Sequence, residues 1–156
     1  MIVENAEIAD IDLLTELRIA YLKEDYGKLD EEDIRKIRRD LPDYFKKNLN
    51  ENIFCYLIRD EESVIACAFL LVIEKPMSPA FITGRTGTVL NVYTNPAYRH
   101  RGYAKKIMEK LLSDAVEKKL SVVELKSTED GYHLYKSVGF TDEMSKYHVM
   151  KCYHQQ

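Results

Sequence analysis

The chain has 156 residues, is 46% hydrophobic and 31% charged, and carries a formal net charge of -3. That length fits one domain, 1–156, able to bury roughly 70% of its unfolded surface without a disulfide or metal staple. The mild acidity argues against a nucleic-acid binder, and no apolar run approaches the ~20 residues that cross a bilayer. The first residues, "MIVENAEIADID", show no basic segment followed by an apolar one, so the expected location is the cytoplasm. The three cysteines, Cys55, Cys67 and Cys152, form no C-x-x-C pair and are expected to be reduced, half-buried thiols. Neither they nor the four histidines have metal-ligand spacing, so no metal is expected.

In chain order, "MIVE" reads as a short first strand. Next, "DIDLLTELRIAYLKEDY" places Ile11, Leu14, Leu17, Tyr21 and Leu22 on one helical face, with Asp10 as N-cap. "DEEDIRKIRRDLPDYFKKNLN" reads as a second helical stretch that Pro42 should break or restart. "NIFCYLIRD" and "SVIACAFLLVIE" are β-branched and aromatic and predict an antiparallel hairpin. "KPMSPAFITGRTG" is a loop by its prolines and glycines, and "TGTVLNVYT" is the next strand. A long amphipathic helix follows, with Ala104, Ile107, Met108, Leu111, Leu112, Ala115 and Val116 on its apolar face. "SVVELKS" is a strand. "TEDGYHLYKSV" is a short helix that Gly139 stops, with Phe140 behind it in a Schellman-type end. "MSKYHVMKCY" closes the pattern as a strand. A strand, crossover helix and strand favour a parallel pair, and the hairpin favours antiparallel pairing. The fold class is therefore α/β, a mixed sheet with helices on its faces.

One segment stands apart in charge. From Lys75 to Met108 there is no Asp or Glu, although the chain holds 26 acidic residues. The same window carries Lys75, Arg85, Arg99, Arg101, Lys105 and Lys106. Four of these flank Gly102, where a strand gives way to a helix. A helix N-terminus offers unpaired N–H groups and partial positive charge, and acidic residues usually favour it. Bases there fit a bound phosphate or pyrophosphate, and a glycine lets the backbone come close to it. A solvated basic turn that merely precedes a helix is the plain alternative. No G-K-[ST] follows, so this is not a Walker P-loop.

The segment "NPAYRHRGYAKKIMEKLL" resembles the acyl-CoA-binding motif of the GNAT superfamily of N-acyltransferases. The matching residues are Arg99, His100, Arg101, Gly102, Tyr103 and Ala104. Downstream, "LYKSVGF" (134–140) is similar to a second motif of that family, and the element order between the two also agrees. The resemblance implies a splayed mixed sheet flanked by helices and acetyl-CoA as donor. It implies that the backbone N–H groups of Arg101, Gly102, Tyr103 and Ala104, with Arg99 and His100 beside them, hold the pyrophosphate. It further implies that Val92, Tyr93 and Thr94 pair with the pantetheine arm, one N–H facing the thioester oxygen as charge develops.

The implied reaction is direct attack of a primary amine on the thioester, the amine belonging to a small molecule or a peptide. Tyr135 matches the tyrosine that acts as general acid toward the departing thiolate; helix packing is its alternative role. Glu74, at the end of a central strand beside the loop expected to border the acceptor, is the candidate base; a solvated strand-end carboxylate is the alternative. The acidic residues of "YLKEDYGKLDEED" suit either a cationic acceptor or an ordinary helix start. A non-catalytic module that binds or senses acyl-CoA is the competing function. The expected partners are acetyl-CoA and an amine acceptor, with no membrane and no nucleic acid; a homodimer is compatible with all of this.

Overall fold

A computed structural model describes residues 1–61 and 63–155 and contains one five-stranded sheet. The strands are β1 (Glu4–Asn5), β2 (Ile53–Asp60), β3 (Ser63–Glu74), β4 (Arg85–Thr94) and β5 (Val122–Glu124), in that spatial order. β1 to β4 pair antiparallel, and β5 lies parallel to β4. The helices are α1 (Ile11–Tyr26), α2 (Glu31–Asn48), α3 (Tyr103–Glu117) and α4 (Tyr132–Ser137). The one parallel pair is joined through α3, as a parallel connection requires.

The period-2 alternation of β2 and β3 sorts their side chains between two cores. Tyr56, Ile58, Ala66, Ala68 and Leu70 face α3 and pack with Ile107, Met108 and Leu111. Cys55, Leu57, Cys67 and Phe69 face the other way and pack with Ile11 and Leu14 of α1 and Phe45 of α2. The Tyr56 hydroxyl donates to Asp114 at 3.0 Å, which pins α3 to the sheet.

β4 positions the site, and its two edges behave differently. Its inner edge pairs with β3 along its length. Its outer edge pairs with β5 only from Thr86 to Thr88. From Val89 to Thr94 that edge has no strand partner among the described residues, so the sheet splays open there. In the same stretch β3 and β4 slip register: Cys67 pairs with Tyr93 and Phe69 with Leu90. Two β4 residues thus oppose one on β3, a β-bulge, and Asn91 sits in it at φ 57°.

Four sequence expectations are corrected. Pro42 does not break α2, which runs unbroken from Glu31 to Asn48. Proline forfeits one backbone hydrogen bond, and the buried Ile34 and Phe45 on either side hold the helix across the gap. The closing strand is absent: residues 141–155 form neither helix nor strand and are exposed. β5 is only three residues long and offers little edge to pair with. Val116 is 77% exposed rather than on the apolar face of α3, and Cys152 is exposed where Cys55 and Cys67 are fully buried.

Candidate active site

The strand-to-helix junction is built from an unusual backbone. Asn95 accepts the Ala97 N–H on its side chain and starts a 3-10 turn at Pro96–Tyr98. His100 then adopts φ 63° and Gly102 φ 84°, both left-handed. Glycine carries no Cβ penalty there, and a Cβ on Gly102 would meet no atom within 4 Å. The space beside it is open. α3 starts at Tyr103 with Gly102 in the N-cap position, no side-chain cap and no acid in the first turn. The Lys106 N–H is bonded to the Gly102 carbonyl, while the N–H groups of Gly102, Tyr103, Ala104 and Lys105 have no hydrogen-bond partner among the described residues. A left-handed residue followed by a right-handed one, as at Gly102 and Tyr103, aims successive N–H groups into one concavity, a nest for an anion.

The basic side chains divide into two kinds. Arg99 is engaged: Nε donates to the Thr94 carbonyl at 2.9 Å, and a terminal nitrogen pairs with Glu24 of α1 at 2.6 Å. Its guanidinium also lies over the Tyr93 ring at 5.7 Å. Arg101, Lys105 and His100 are exposed, Arg101 resting 5.6 Å from the Tyr98 ring. The structure thus collects Val92, Tyr93, Thr94, Arg99, His100, Arg101, Gly102, Tyr103 and Ala104 into one continuous stretch, from the open edge of β4 into the N-terminus of α3.

Tyr135 reaches the same neighbourhood from α4. Together with Val92 and Tyr103 it packs against the α3-side core. The predicted Schellman end is present: Gly139 has φ 108°, and the Phe140 N–H bonds to the Tyr135 carbonyl at 3.0 Å. This folds Phe140 back so that its ring meets Tyr135 edge-on at 6.0 Å. Burial pushes the Tyr135 phenol up to about 12, and the charge of Tyr21 on α1 adds to the effect.

Glu74 is not brought to this stretch. It is 78% exposed at the opposite end of the sheet and pairs with Arg85 at 2.8 Å, the two residues being cross-strand partners. Arg85 lies four strand residues, about 13 Å, below the start of the open edge. His133 is exposed.

Two residues were not singled out from sequence. A Cβ on Gly131 would stand 2.7 Å from a Tyr135 ring carbon, so Gly131 makes room for the phenol. The available signal was a glycine one helical turn before a tyrosine, with the spacing i, i+4. Asn91 is the other. Its amide accepts from Arg18 at 3.3 Å and donates toward the Leu17 carbonyl and the Cys67 sulfur. It looks like one more polar residue in an alternating strand, and only the bulge reveals its place.

An open sheet edge that runs into an uncapped, base-flanked helix N-terminus has the form of a site for an extended anionic ligand. The model of the acetyltransferase (GNAT) family matches residues 12–140, and the chain belongs to that family. It is an acyl-CoA-dependent N-acetyltransferase. A solved structure of a predicted acetyltransferase with acetyl-CoA from Clostridium acetobutylicum is 28% identical. The match covers 96% of this chain and 95% of that one, at a TM-score of 0.83. A GCN5-related N-acetyltransferase from Ralstonia eutropha JMP134 is 22% identical over 96% of this chain and 97% of its own, at TM-score 0.79. A ribosomal-protein-alanine N-acetyltransferase from Brucella melitensis biovar Abortus 2308 shares the fold at 19% identity and TM-score 0.67, covering 97% of this chain and 100% of that chain. No curated protein matches the chain. Among the described residues no helix is long and apolar enough to cross a membrane. No group of three or more His, Cys, Asp or Glu among them could hold a metal ion.

Proposed function

We propose that the chain, acting as one domain over residues 1–156, transfers the acetyl group of acetyl-CoA to a primary amine of a small molecule or peptide by direct attack. Acetyl-CoA is the co-substrate of this enzyme class. The observation that carries the reading is the continuity of the open β4 edge with the free N–H groups at the start of α3. The amide-containing pantetheine arm adds to the edge at Val92, Tyr93 and Thr94 as a further strand would. The pyrophosphate sits in the concavity around Gly102, and Arg101 and Lys105 add positive charge. In that placement the thioester lies in the splay, where an N–H of β4 meets the carbonyl oxygen as it becomes negative.

The amine nitrogen forms a bond to the carbonyl carbon, and the C–S bond then breaks. The amine loses its extra proton to solvent, and the sulfur leaves with the electron pair. Tyr135 is the donor to that sulfur. A phenol raised to about 12 is protonated at neutral pH but is a weak acid toward a thiolate of ordinary basicity, about 8.5. Its role is therefore a hydrogen bond that strengthens as the thiolate forms, with full proton transfer completed through solvent.

The test is thiol release and product mass with acetyl-CoA and a panel of amines. Acetylated product from at least one primary amine supports the reading. Tight acetyl-CoA binding with no release for any amine would favour the non-catalytic module instead.

A further inference from the structure

Four arginines are half-buried: Arg18, Arg59, Arg85 and Arg99. Taking a guanidinium out of water is costly unless an anion faces it. Three of the four meet that condition. Arg59 pairs with Glu4 and Asp10, Arg85 with Glu74, and Arg99 with Glu24. Arg18 has no carboxylate within ion-pair distance among the described residues. One N–H donates to the neutral amide of Asn91 at a long 3.3 Å, and the remaining donors make no hydrogen bond among the described residues. Its flat guanidinium lies 5.8 Å from the Tyr21 ring.

The position matters as much as the missing partner. Asn91 is the bulge residue in the part of β4 whose outer edge is open. Tyr21, against which Arg18 rests, is the phenol whose charge acts on Tyr135. The unpaired cation therefore lies between α1 and the bulge of β4, with Tyr21 as the side chain it shares with the Tyr135 neighbourhood. The acidic residues nearby do not neutralise it. Glu24 is taken by Arg99, and Asp25 acts on Tyr21 rather than pairing with Arg18.

We propose that Arg18 receives a carboxylate of the acceptor, so that the substrate is an amine bearing a carboxylate, of the α-amino acid class, rather than a polycation. A bidentate carboxylate would use the free donors of the fork. It would also fix the distance of the amine from the thioester. The inference rests on the acetyl-transfer reading and sharpens its acceptor.

The experiment compares amino acids with their own amides (alanine with alaninamide, and the same for larger side chains), together with spermidine, using acetyl-CoA and thiol release. Acids should exceed their amides by roughly 10- to 100-fold in kcat/KM, the worth of a charged hydrogen-bonded contact. Arg18→Gln should erase that ratio by raising KM for the acids, leaving the amides and the KM for acetyl-CoA within about 2-fold. Arg18→Lys, which keeps the charge but loses the fork, should restore part of the ratio. Calorimetry with the N-acetyl acid and the N-acetyl amide tests the contact without turnover: the acid should bind wild type roughly 10- to 100-fold more tightly than the amide, and that difference should vanish in Arg18→Gln. Equal use of acids and amides, or preference for spermidine, would overturn the carboxylate site and leave acetyl transfer standing. No thiol release from any amine would overturn both.

Discussion

Glu24 near the end of α1 holds Arg99 beyond the end of β4 at 2.6 Å, across 75 positions of sequence. The pair fastens α1 to the strand-to-helix junction at Gly102, the proposed donor site. Both side chains remain partly exposed, at 51% and 34%, so the ion pair itself contributes little stability. Its effect should appear in binding. Arg99→Ala, which also removes the bond to the Thr94 carbonyl, should weaken acetyl-CoA by roughly 10-fold, the worth of a charged hydrogen bond. Glu24→Gln should change it by less than about 3-fold. Calorimetric titration of both variants decides this, and equal losses would mean that the ion pair as a unit, rather than Arg99 alone, organises the junction.

Gly102 separates backbone strain from ligand exclusion. At φ 84° an alanine costs about 1 kcal/mol, which in a domain of this size lowers Tm by roughly 2–4 °C. Nothing surrounds the added Cβ, so Gly102→Ala should fold and bind acetyl-CoA with a modest loss. Gly102→Glu should melt near the alanine variant yet lose acetyl-CoA binding altogether. Binding retained by the glutamate variant would remove the pyrophosphate from this turn.

Tyr135→Phe should lower kcat by roughly 100-fold, the scale of one hydrogen-bond donor aimed at developing charge, with little change in KM for acetyl-CoA. Because the phenol is raised to about 12, it stays protonated through the working range. A basic limb seen between pH 7 and 10 should therefore persist in the variant. The same shift links to stability. An unfolded tyrosine ionises near 10, whereas the folded one resists until about 12, so the stability tied to its burial is intact below pH 10 and lost as pH rises through 12. Urea unfolding between pH 9 and 12 should show a shallower decline for Tyr135→Phe than for wild type. Tyr56, raised by burial and by Asp114, contributes a similar loss in both proteins.

Gly131→Ala is the conservative way to disturb that tyrosine. The new methyl would stand 2.7 Å from the ring carbon, closer than packing allows, so the ring must rotate. Gly131 has an ordinary φ of -85°, and no backbone strain intervenes. We expect kcat to fall about 10-fold while acetyl-CoA affinity holds, since small displacements of a catalytic group are costly. Full activity would show that Tyr135 does not need its present orientation.

Glu74→Gln should leave turnover within about 2-fold, the range of an exposed ion pair. The side chain is 78% exposed and tied to Arg85, away from the open edge. A loss above 100-fold would reinstate it as the base.

The backbone of the proposed donor half was legible because local chemistry dictates it. A glycine among bases at a helix start, and a glycine after "LYKSV", each specify a backbone conformation within a few residues, and both conformations are present. The proposed acceptor half was not legible, because it depends on register. Asn91 in "TVLNVYT" has the polarity of an outward strand residue, and only the slip opposite Ala68 turns it toward Arg18. Arg18 looked like any polar face residue of an amphipathic helix. The same limit explains Glu74, whose place was inferred from a strand end without knowing which end of the sheet opens. The final segment alternates like a strand, but alternation states only what a partner edge would accept, not that an edge is there.

The bulge at Asn91 makes β4 intolerant of a change in length. Deleting or inserting one residue between Val89 and Thr94 would exchange the faces of the residues around it, turning the Asn91 amide away from α1 or shifting the N–H groups of the open edge. The loops at 27–30 and 75–84 lie outside that register, although the second closes on itself through the Lys75 N–H to Gly84 carbonyl bond and the Ser78–Phe81 bridge. In evolutionary terms the chain is part ruler and part slack. Functional variants should accumulate insertions and deletions in those two loops and none across 89–104, a partition that a library of single-residue deletions would reveal directly.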